Sequence, residues 1–566
     1  MSELLTAVSI LFIVAGPFLL VANRFDLPTV PFLIIAGIVA GGFVDEDLVL
    51  ELAQYGIALL VFSFGIGIQL DAVRTVLADS EIAAFAQIAV LGGLGTAIGV
   101  VLGVAPGEAI YLGVAAALSS TIVGTALLES EIRMELVHGR LAQSIQLVQD
   151  LVAIVFVLVV GAGTLAADPI ATQVGYGVAL LVVAIVVNRY LFDLIGRLAG
   201  GSDELMIIGV VSLLVMFVGA AELAGVSIVV GAFAAGLAVR HDPAAYLGLF
   251  NGLDSIRDFF VAIFFVTVGA LVVLPFVETG TAESVEKLLL AGGLVALTAV
   301  VKPAVTTAIL IYQGYESRSA ALTSLHTDQV SEFALIIAIE ALLIGLLSQS
   351  VFDAIILAAA ATMITSSLSQ RYNEGIYRAL ADRGLFPERH GKVDAWSAVP
   401  DGIADHVVVV GYGRQGRRLV EVCESLGQRY VVVENDPLRR ERVASECEAY
   451  VFGDAMETYT WEKAAVEDAR LVVSAVDSEP VSRRIASFEF DADVVLRSSD
   501  VELALELLER GVVYVGVSDL LAGEQLVKHV QAVLRGERTP EELRAEMMGE
   551  LDVDPTSPVG TRSVVG

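Results

Sequence analysis

The run Gln149-Asp150-Leu151-Val152-Ala153-Ile154 sets a carboxyl group inside an apolar stretch of helix length, roughly residues 139–163. Near the middle of a bilayer a charge costs about 2.5–3.5 kcal/mol, so an ionisable side chain there marks a functional position. The composition agrees with lipid as the solvent. Of 566 residues, 56% are hydrophobic and 18% charged, which excludes a wholly soluble chain. Acidic residues outnumber basic ones 66 to 34, a formal charge of −32, which argues against nucleic acid as a partner. Two cysteines, Cys423 and Cys447, cannot staple a fold of this size, so a disulfide-rich secreted scaffold is excluded.

Outward from Asp150, apolar runs recur with short polar breaks. Thirteen spans are expected, roughly 4–21, 28–43, 52–70, 82–104, 107–128, 139–163, 171–191, 204–222, 225–240, 251–274, 285–312, 319–344 and 348–369. After Arg371 the texture turns polar. The first run has no basic residue before it and no cleavage site, so it reads as a retained helix rather than a signal peptide. Lys and Arg collect in cytoplasmic connections. Arg24, Arg74, Arg133, Arg140, Arg189, Arg197, Arg240, Arg257 and Arg318 fall in the odd-numbered connections, and the even ones hold only Lys287. That alternation places the amino terminus outside and everything after Arg371 in the cytoplasm. Five lysines against 66 acids point to a halophilic source, where salt screens dense carboxylates; an ordinary acidic membrane protein is the plainer reading.

A second ionisable group, Lys302 in Val301-Lys302-Pro303, interrupts the eleventh span. Two further spans carry polar clusters: Ser119-Ser120-Thr121 in the fifth, and Thr327-Asp328-Gln329-Val330-Ser331-Glu332 in the twelfth. The interval between them is odd, so the two helices run antiparallel. Inverted repeats whose discontinuous helices build an ion site at the midplane have that arrangement. Unwound backbone is tolerated at that depth only where it lines a cavity in the protein. Plainer readings stand beside these: a packed acid at Asp150, Lys302 as its static partner or a cap on a broken helix, and hydroxyls bonding back to their own helices. His326 reads as a packed interfacial histidine.

Together Gln149-Asp150, Ala117-Leu118-Ser119-Ser120-Thr121, Gly231-Ala232-Phe233-Ala234-Ala235-Gly236, Phe264-Phe265-Val266-Thr267-Val268-Gly269 and Ser331-Glu332-Phe333 resemble the monovalent cation/proton antiporter-2 family, its Kef-type branch most closely. Gly67-Ile68-Gln69-Leu70-Asp71 is similar to a Gly-Leu-Glu-Leu-Asp signature of that family, with Gln69 replacing Glu. The resemblance implies a core bundle rocking against a dimerisation bundle. It also implies that Asp150 is the ion-carrying aspartate and Lys302 the basic residue on the facing helix. One carboxylate that holds either a proton or a dehydrated monovalent cation, never both, converts competition into exchange. Ser119, Ser120, Thr121, Gln149, Gln329 and Glu332 are the other candidates for the ion site. Electrogenic relatives carry two adjacent aspartates where this chain has Gln149-Asp150, so electroneutral one-for-one exchange is expected.

In the tail, His406-Val407-Val408-Val409-Val410 reads as a buried parallel strand, followed by Gly411-Tyr412-Gly413-Arg414-Gln415-Gly416, a helical stretch, and the strand Tyr430-Val431-Val432-Val433 ending at Glu434. Glycines between strand and helix with an acid about twenty residues on form a dinucleotide fingerprint: a tight turn at Gly411, close approach to a pyrophosphate at Gly413, and helix–strand packing at Gly416. Glu434 would accept ribose hydroxyls and disfavour a 2′-phosphate. NAD(H) or an adenosine nucleotide is therefore expected over NADP. With Asn435, Asp436 and the Gly453-Asp454-Ala455 turn, the stretch 404–520 resembles the TrkA amino-terminal domain, or regulator of potassium conductance fold. A vestigial pocket in a domain that only dimerises is the alternative. Tyr412, Arg414, Gln415, Asn435, Asp454 and Ala455 complete the candidate cofactor contacts.

The fold class expected is a polytopic α-helical membrane protein with discontinuous crossing helices and a cytoplasmic α/β Rossmann-like domain. Its parts are a membrane domain at 1–370, a linker at 371–403, the nucleotide fold at 404–520 and a helical, acidic extension at 521–566. The function expected is a dimeric K⁺ or Na⁺/H⁺ antiporter of the plasma membrane, regulated by nucleotide and without redox chemistry. A nucleotide-gated potassium channel is the alternative, disfavoured by Asp150 and Lys302 and by the lack of a Gly-Tyr-Gly filter loop. A membrane-anchored dehydrogenase would need catalytic residues that the sequence does not show. Burial is expected for Cys423 and Cys447 ahead of redox sensing.

Overall fold

The computed structural model describes residues 3–25, 27–67, 78–124, 137–161, 167–200, 202–240, 246–277, 279–386, 391–436 and 439–544. Gln69, Asp71, Arg74 and Arg133 lie outside the described residues. The chain divides into two units, Met1–Glu388 and Arg389–Gly566. Among the described residues, nine helices of the first unit are long and apolar enough to cross a membrane.

The first unit is helical throughout: α1 (Glu3–Arg24), α2 (Thr29–Gly41), α3 (Glu46–Gly67), α4 (Ala78–Val101), α5 (Pro106–Ala117), α6 (Val137–Val160), α7 (Ala167–Val186), α8 (Phe192–Ala199), α9 (Asp203–Leu223), α10 (Ile228–Ala238), α11 (Leu247–Ala270), α12 (Thr281–Ala296), α13 (Lys302–Tyr312), α14 (Ser317–Leu325), α15 (Glu332–Leu343), α16 (Gln349–Arg371) and α17 (Asn373–Ala381). A π turn, Val187–Leu191, joins α7 to α8 without a break, so the helix expected to end near 191 runs on to Ala199. Arg189 and Arg197 therefore sit in helix rather than in a connection. Arg140, Arg257, Arg318 and Lys287 are likewise in helices α6, α11, α14 and α12. A second π turn, Leu297–Val301, precedes Lys302. Pro303 just after it lacks an N–H, which opens the helical ladder at that point.

The helices form two bundles. In one, α2 packs on α1 and α11, α3 on α10 and α11, and α9 on α10. Backbones touch there: a Cβ on Gly37 would lie 2.0 Å from the Val266 carbonyl oxygen, and one on Gly269 2.0 Å from that of Ile34. Between helices in lipid there is no hydrophobic drive, so such close van der Waals approach supplies the cohesion. In the other bundle α4 packs on α5 and α6, α12 on α16, α13 on α14 and α4, and α6 on α14 and α15. Helix α7 packs on α6 and α10, and α16 packs on α2, so both link the two bundles.

The second unit is a six-stranded parallel sheet in the order β3-β2-β1-β4-β5-β6, from β1 (His406–Val410), β2 (Tyr430–Glu434), β3 (Tyr450–Phe452), β4 (Ala469–Ser474), β5 (Asp493–Ser498) and β6 (Tyr514–Val517). Strands β1 and β2 are buried along their whole length, as continuous valine runs covered on both faces must be. The order reverses between β2-β1 and β4, and ligands bind at the carboxyl ends of strands beside such a reversal. A helix, Ser518–Leu534, follows β6 directly.

Gly37→Ala is expected to lower the thermal stability of the detergent-purified protein by about 1–3 kcal/mol, through overpacking against backbone. Gly93→Ala, where an added Cβ meets nothing within 4 Å, should leave the melt unchanged.

Candidate functional site

Both polar clusters are breaks in helices, and the breaks face each other. Helix α5 ends at Ala117, Leu118 turns extended, and helix resumes at 121–124. Helix α14 ends at Leu325 and α15 starts at Glu332. The Ser119 hydroxyl donates to the Thr327 carbonyl at 2.9 Å across the gap. Side chains then satisfy the freed backbone. Gln149 Oε1 accepts from Ser119 N at 2.9 Å, while its Nε2 donates to Gln87 and to the Ala117 carbonyl. Gln146 and Gln329 both donate to the Ser120 carbonyl, Ser120 Oγ caps Val123 N, and Ser331 caps Phe333 N.

Charges follow the helix ends. Lys302 is fully buried and its Nζ donates to the carbonyls of Leu118 at 2.8 Å and Gln329 at 3.2 Å, the carbonyl sides of both breaks. Glu332 accepts from Thr121 N at 3.2 Å and Ile122 N at 3.1 Å, the amide side of the resumed helix. A cation on carbonyl ends and an anion on amide ends complement the helix dipoles. Among the described residues no ion pair joins Lys302 to Asp150. Lys302 is a cap on the broken helices rather than a partner of the acid.

Asp150 is 1% exposed, and its Oδ2 accepts from the Thr121 hydroxyl at 2.5 Å. Of the expected ion-site residues, Thr121 alone makes a side-chain hydrogen bond to Asp150, while Ser119, Ser120, Gln149, Lys302, Gln329 and Glu332 bind the surrounding backbone. A carboxylate offers about four acceptor sites. Asp150 can therefore take a proton or a cation without breaking the crossing that surrounds it. The His326 ring stacks on that of His138, centroids 5.7 Å apart.

Two acids, buried Asp353 and half-buried Glu340, escaped the sequence reading, and buried Asp328 was read only as a member of the twelfth-span cluster. Asp353 pairs with Lys287 at 2.8 Å, both fully buried, where Lys287 had been assigned to a connection. Asp328 Oδ2 accepts from Ser369 Oγ at 2.6 Å. Glu340 of α15 accepts from Ser227 Oγ, at the start of α10, at 2.8 Å, bonding one bundle to the other. Each lies in or beside an apolar run of helix length, the same signal that exposed Asp150.

In the sheet unit, Gly411 has φ +86°, and a Cβ on Gly416 would lie 1.8 Å from the Gly411 carbonyl oxygen, so both positions require glycine. Gly413 caps the helix Arg414–Ser425, where a Cβ would meet only Arg439 Nη1, at 3.7 Å. That open cradle at a helix amino terminus fits a phosphate. Arg414 and Gln415 are exposed on the first turn, and Gly416 is buried behind them. Glu434, 4% exposed, accepts from the N–H groups of Tyr412, Asn435 and Asp436. The Tyr412 hydroxyl donates to Glu446, Asp454 accepts from Met456 N, and the Ala455 carbonyl accepts from Trp461 Nε1. The residues present fit a nucleotide. Burial pushes both the Cys423 and Cys447 thiols above their ordinary range, which lowers thiolate content and reactivity.

Glu332→Leu strands two N–H groups, at about 1–3 kcal/mol each. The detergent-purified variant should melt well below wild type, with Glu332→Gln, which keeps a carbonyl acceptor, in between.

The family described as sodium/hydrogen exchanger, transmembrane, matches residues 8–371, and the TrkA-N domain matches residues 407–515. The chain is 27% identical over 526 residues to the putative cation/proton antiporter YbaL of Escherichia coli, covering 87% of this chain and 91% of that one. It is 25% identical over 508 residues to the putative K(+) efflux antiporter KefB of Alkalimonas amylolytica, covering 88% and 75%. It is 26% identical over 516 residues to the glutathione-regulated potassium-efflux system protein KefC of Salmonella paratyphi B, covering 87% and 79%. The chain belongs to the sodium/hydrogen exchanger family and is a multi-pass cation/proton antiporter with a TrkA-N domain behind its membrane unit.

Proposed function

We propose that this antiporter exchanges K⁺ for H⁺ at Asp150, one for one, with Na⁺ as the second candidate cation. The observation that carries the reading is a buried carboxylate held by a single hydroxyl in a crossing whose other polar groups are engaged with backbone. A proton on Asp150 and a cation beside it exclude each other, since each neutralises the same charge. The Thr121 hydroxyl donates to the ionised acid and can turn its oxygen lone pairs toward a bound cation. Gln149, Ser119, Ser120, Gln329 and Glu332 shape the site by fixing the breaks, and Lys302 holds the carbonyl ends together. With Gln149 in place of a second adjacent acid, Asp150 trades one proton for one monovalent cation, and a cycle of that stoichiometry moves no net charge. The names of KefB and KefC favour potassium.

The proposed setting is a homodimer in the cell membrane, amino terminus outside and the sheet unit in the cytoplasm. NAD(H) or an adenosine nucleotide bound over Gly411–Gly416 and Glu434 would regulate transport and undergo no reaction. A ligand shifts the transport equilibrium only as far as it binds one state better than the other.

In proteoliposomes under an imposed pH gradient, K⁺ is expected to drive proton movement that Asp150→Asn abolishes. The flux should not respond to a clamped membrane voltage. Retained K⁺-driven flux in a correctly inserted Asp150→Asn protein would overturn the site. Gly413→Ala, whose Cβ finds room in the free fold but projects into the cradle, should lose nucleotide binding by calorimetry without loss of thermal stability.

A further inference from the structure

The nucleotide pocket holds a cation at the point where ribose would dock, and this bears on which ligands it accepts. Glu434 Oε1 accepts from Asn435 N at 2.9 Å and from Asp436 N at 3.0 Å, which uses both of its lone pairs. Oε2 accepts from Tyr412 N at 2.7 Å, and its remaining face is turned to Arg439 Nη1 at 3.4 Å. A ribose hydroxyl therefore has one acceptor position on Glu434, and Arg439 covers it. The same guanidinium reaches Asp436 Oδ2 through Nε at 3.4 Å, and its Nη1 lies 3.7 Å from the place of a Gly413 Cβ, over the phosphate cradle. Arg439 is 30% exposed where Glu434 is 4% exposed, so the guanidinium can yield while the carboxylate stays fixed. The neighbouring Arg440 is held elsewhere, 4.2 Å above the Trp396 ring.

We infer that Arg439 is the residue that makes this pocket select 5′-phosphorylated adenosine ligands over the bare nucleoside. Building on the nucleotide reading proposed above, the exchange has two linked parts. The ribose hydroxyl takes the Oε2 position from Arg439, and the displaced guanidinium, already above Gly413, closes on the phosphate instead. A nucleoside makes the first move without the second. It must dislodge the guanidinium from Glu434 and brings no anionic group for it in return. A nucleotide gains a charge-assisted hydrogen bond in return, so the selectivity resides in a side chain rather than in the glycine loop alone.

The test is calorimetric titration of the full-length protein in detergent with adenosine, AMP and ADP. Wild type is expected to bind ADP about tenfold or more tighter than adenosine, the scale of one charge-assisted hydrogen bond. In Arg439→Ala, ADP should weaken by about the same factor while adenosine holds or tightens, so the ratio collapses. Arg439→Lys, which keeps the charge, should retain part of the preference. An unchanged ADP-to-adenosine ratio in a folded Arg439→Ala protein, or an equal loss for both ligands, would overturn the inference. Failure of wild type to bind any of the three, or NAD(H), would overturn the nucleotide reading itself along with it.

Discussion

A backbone N–H or C=O in hydrocarbon must find a partner inside the protein, and two broken helices expose several such groups at once. The crossing of α5 with the gap between α14 and α15 is built to meet that demand. Its amides go to Glu332 and to Gln149, its carbonyls to Lys302, Gln146 and Gln329, and the Ser119 hydroxyl crosses to the Thr327 carbonyl. Once those pairings are made, Lys302 and Glu332 are no longer spare charges. They are counterweights to helix ends, each costly to bury alone and tolerable because oriented dipoles surround it. Among the described residues Asp150, like Asp328 in the facing break, is met by hydroxyl donors rather than backbone amides, and so keeps acceptor capacity that Glu332 has used up.

The two bundles differ in how they cohere, and the difference suits relative motion. Reciprocal glycines seat α2 on α11 backbone to backbone, a contact with little room to slide. Where α15 meets α3 and α10 the contact is of another kind: the Phe64 and Phe333 rings meet edge to face at 4.8 Å, and a hydrogen bond joins Ser227 to Glu340, while α7 and α16 pack helix on helix across the bundles. Ring edges and one hydrogen bond can be broken and remade at modest cost, whereas interlocked backbones cannot. Phe333 follows Glu332 directly, so displacement at that contact reaches the crossing through one residue.

Much of this was legible in the sequence because it rests on residue type and spacing. An acid in an apolar run, two clusters of hydroxyls and amides inside helices of opposite direction, and glycines between a valine strand and a helix all report locally. What could not be read is which backbone groups the polar side chains meet. Every residue carries a carbonyl, so nothing in Val301-Lys302-Pro303 says that Lys302 reaches Leu118 and Gln329 rather than Asp150. Gln149 illustrates the same limit: beside an acid it reads as a cation ligand, while in the fold its amide is consumed by Ser119 N, Ala117 O and Gln87. The extension of α7 through Arg189 to Ala199 was hidden for a different reason. Arginine does not end a helix, and Asn188 is held in the π turn by bonds to the Leu237 and Val239 carbonyls, 2.9 and 2.8 Å away.

Lys287 and Asp353 show how far the rule of buried charge extends. They form an ion pair of fully buried side chains in the same helical unit, yet nothing in their geometry resembles the crossing. Asp353 also accepts from Val273 N and from Gln349, which in turn holds the Leu271 carbonyl. The pair thus ties the first turns of α12 and α16 to the chain leaving α11, the tether by which one bundle passes into the other. A charge whose valences are all met fastens structure. An acid that is to carry an ion has to keep acceptor capacity, so burial alone is not the criterion within a membrane; Asp150 and Asp328 meet the stricter one and Asp353 does not.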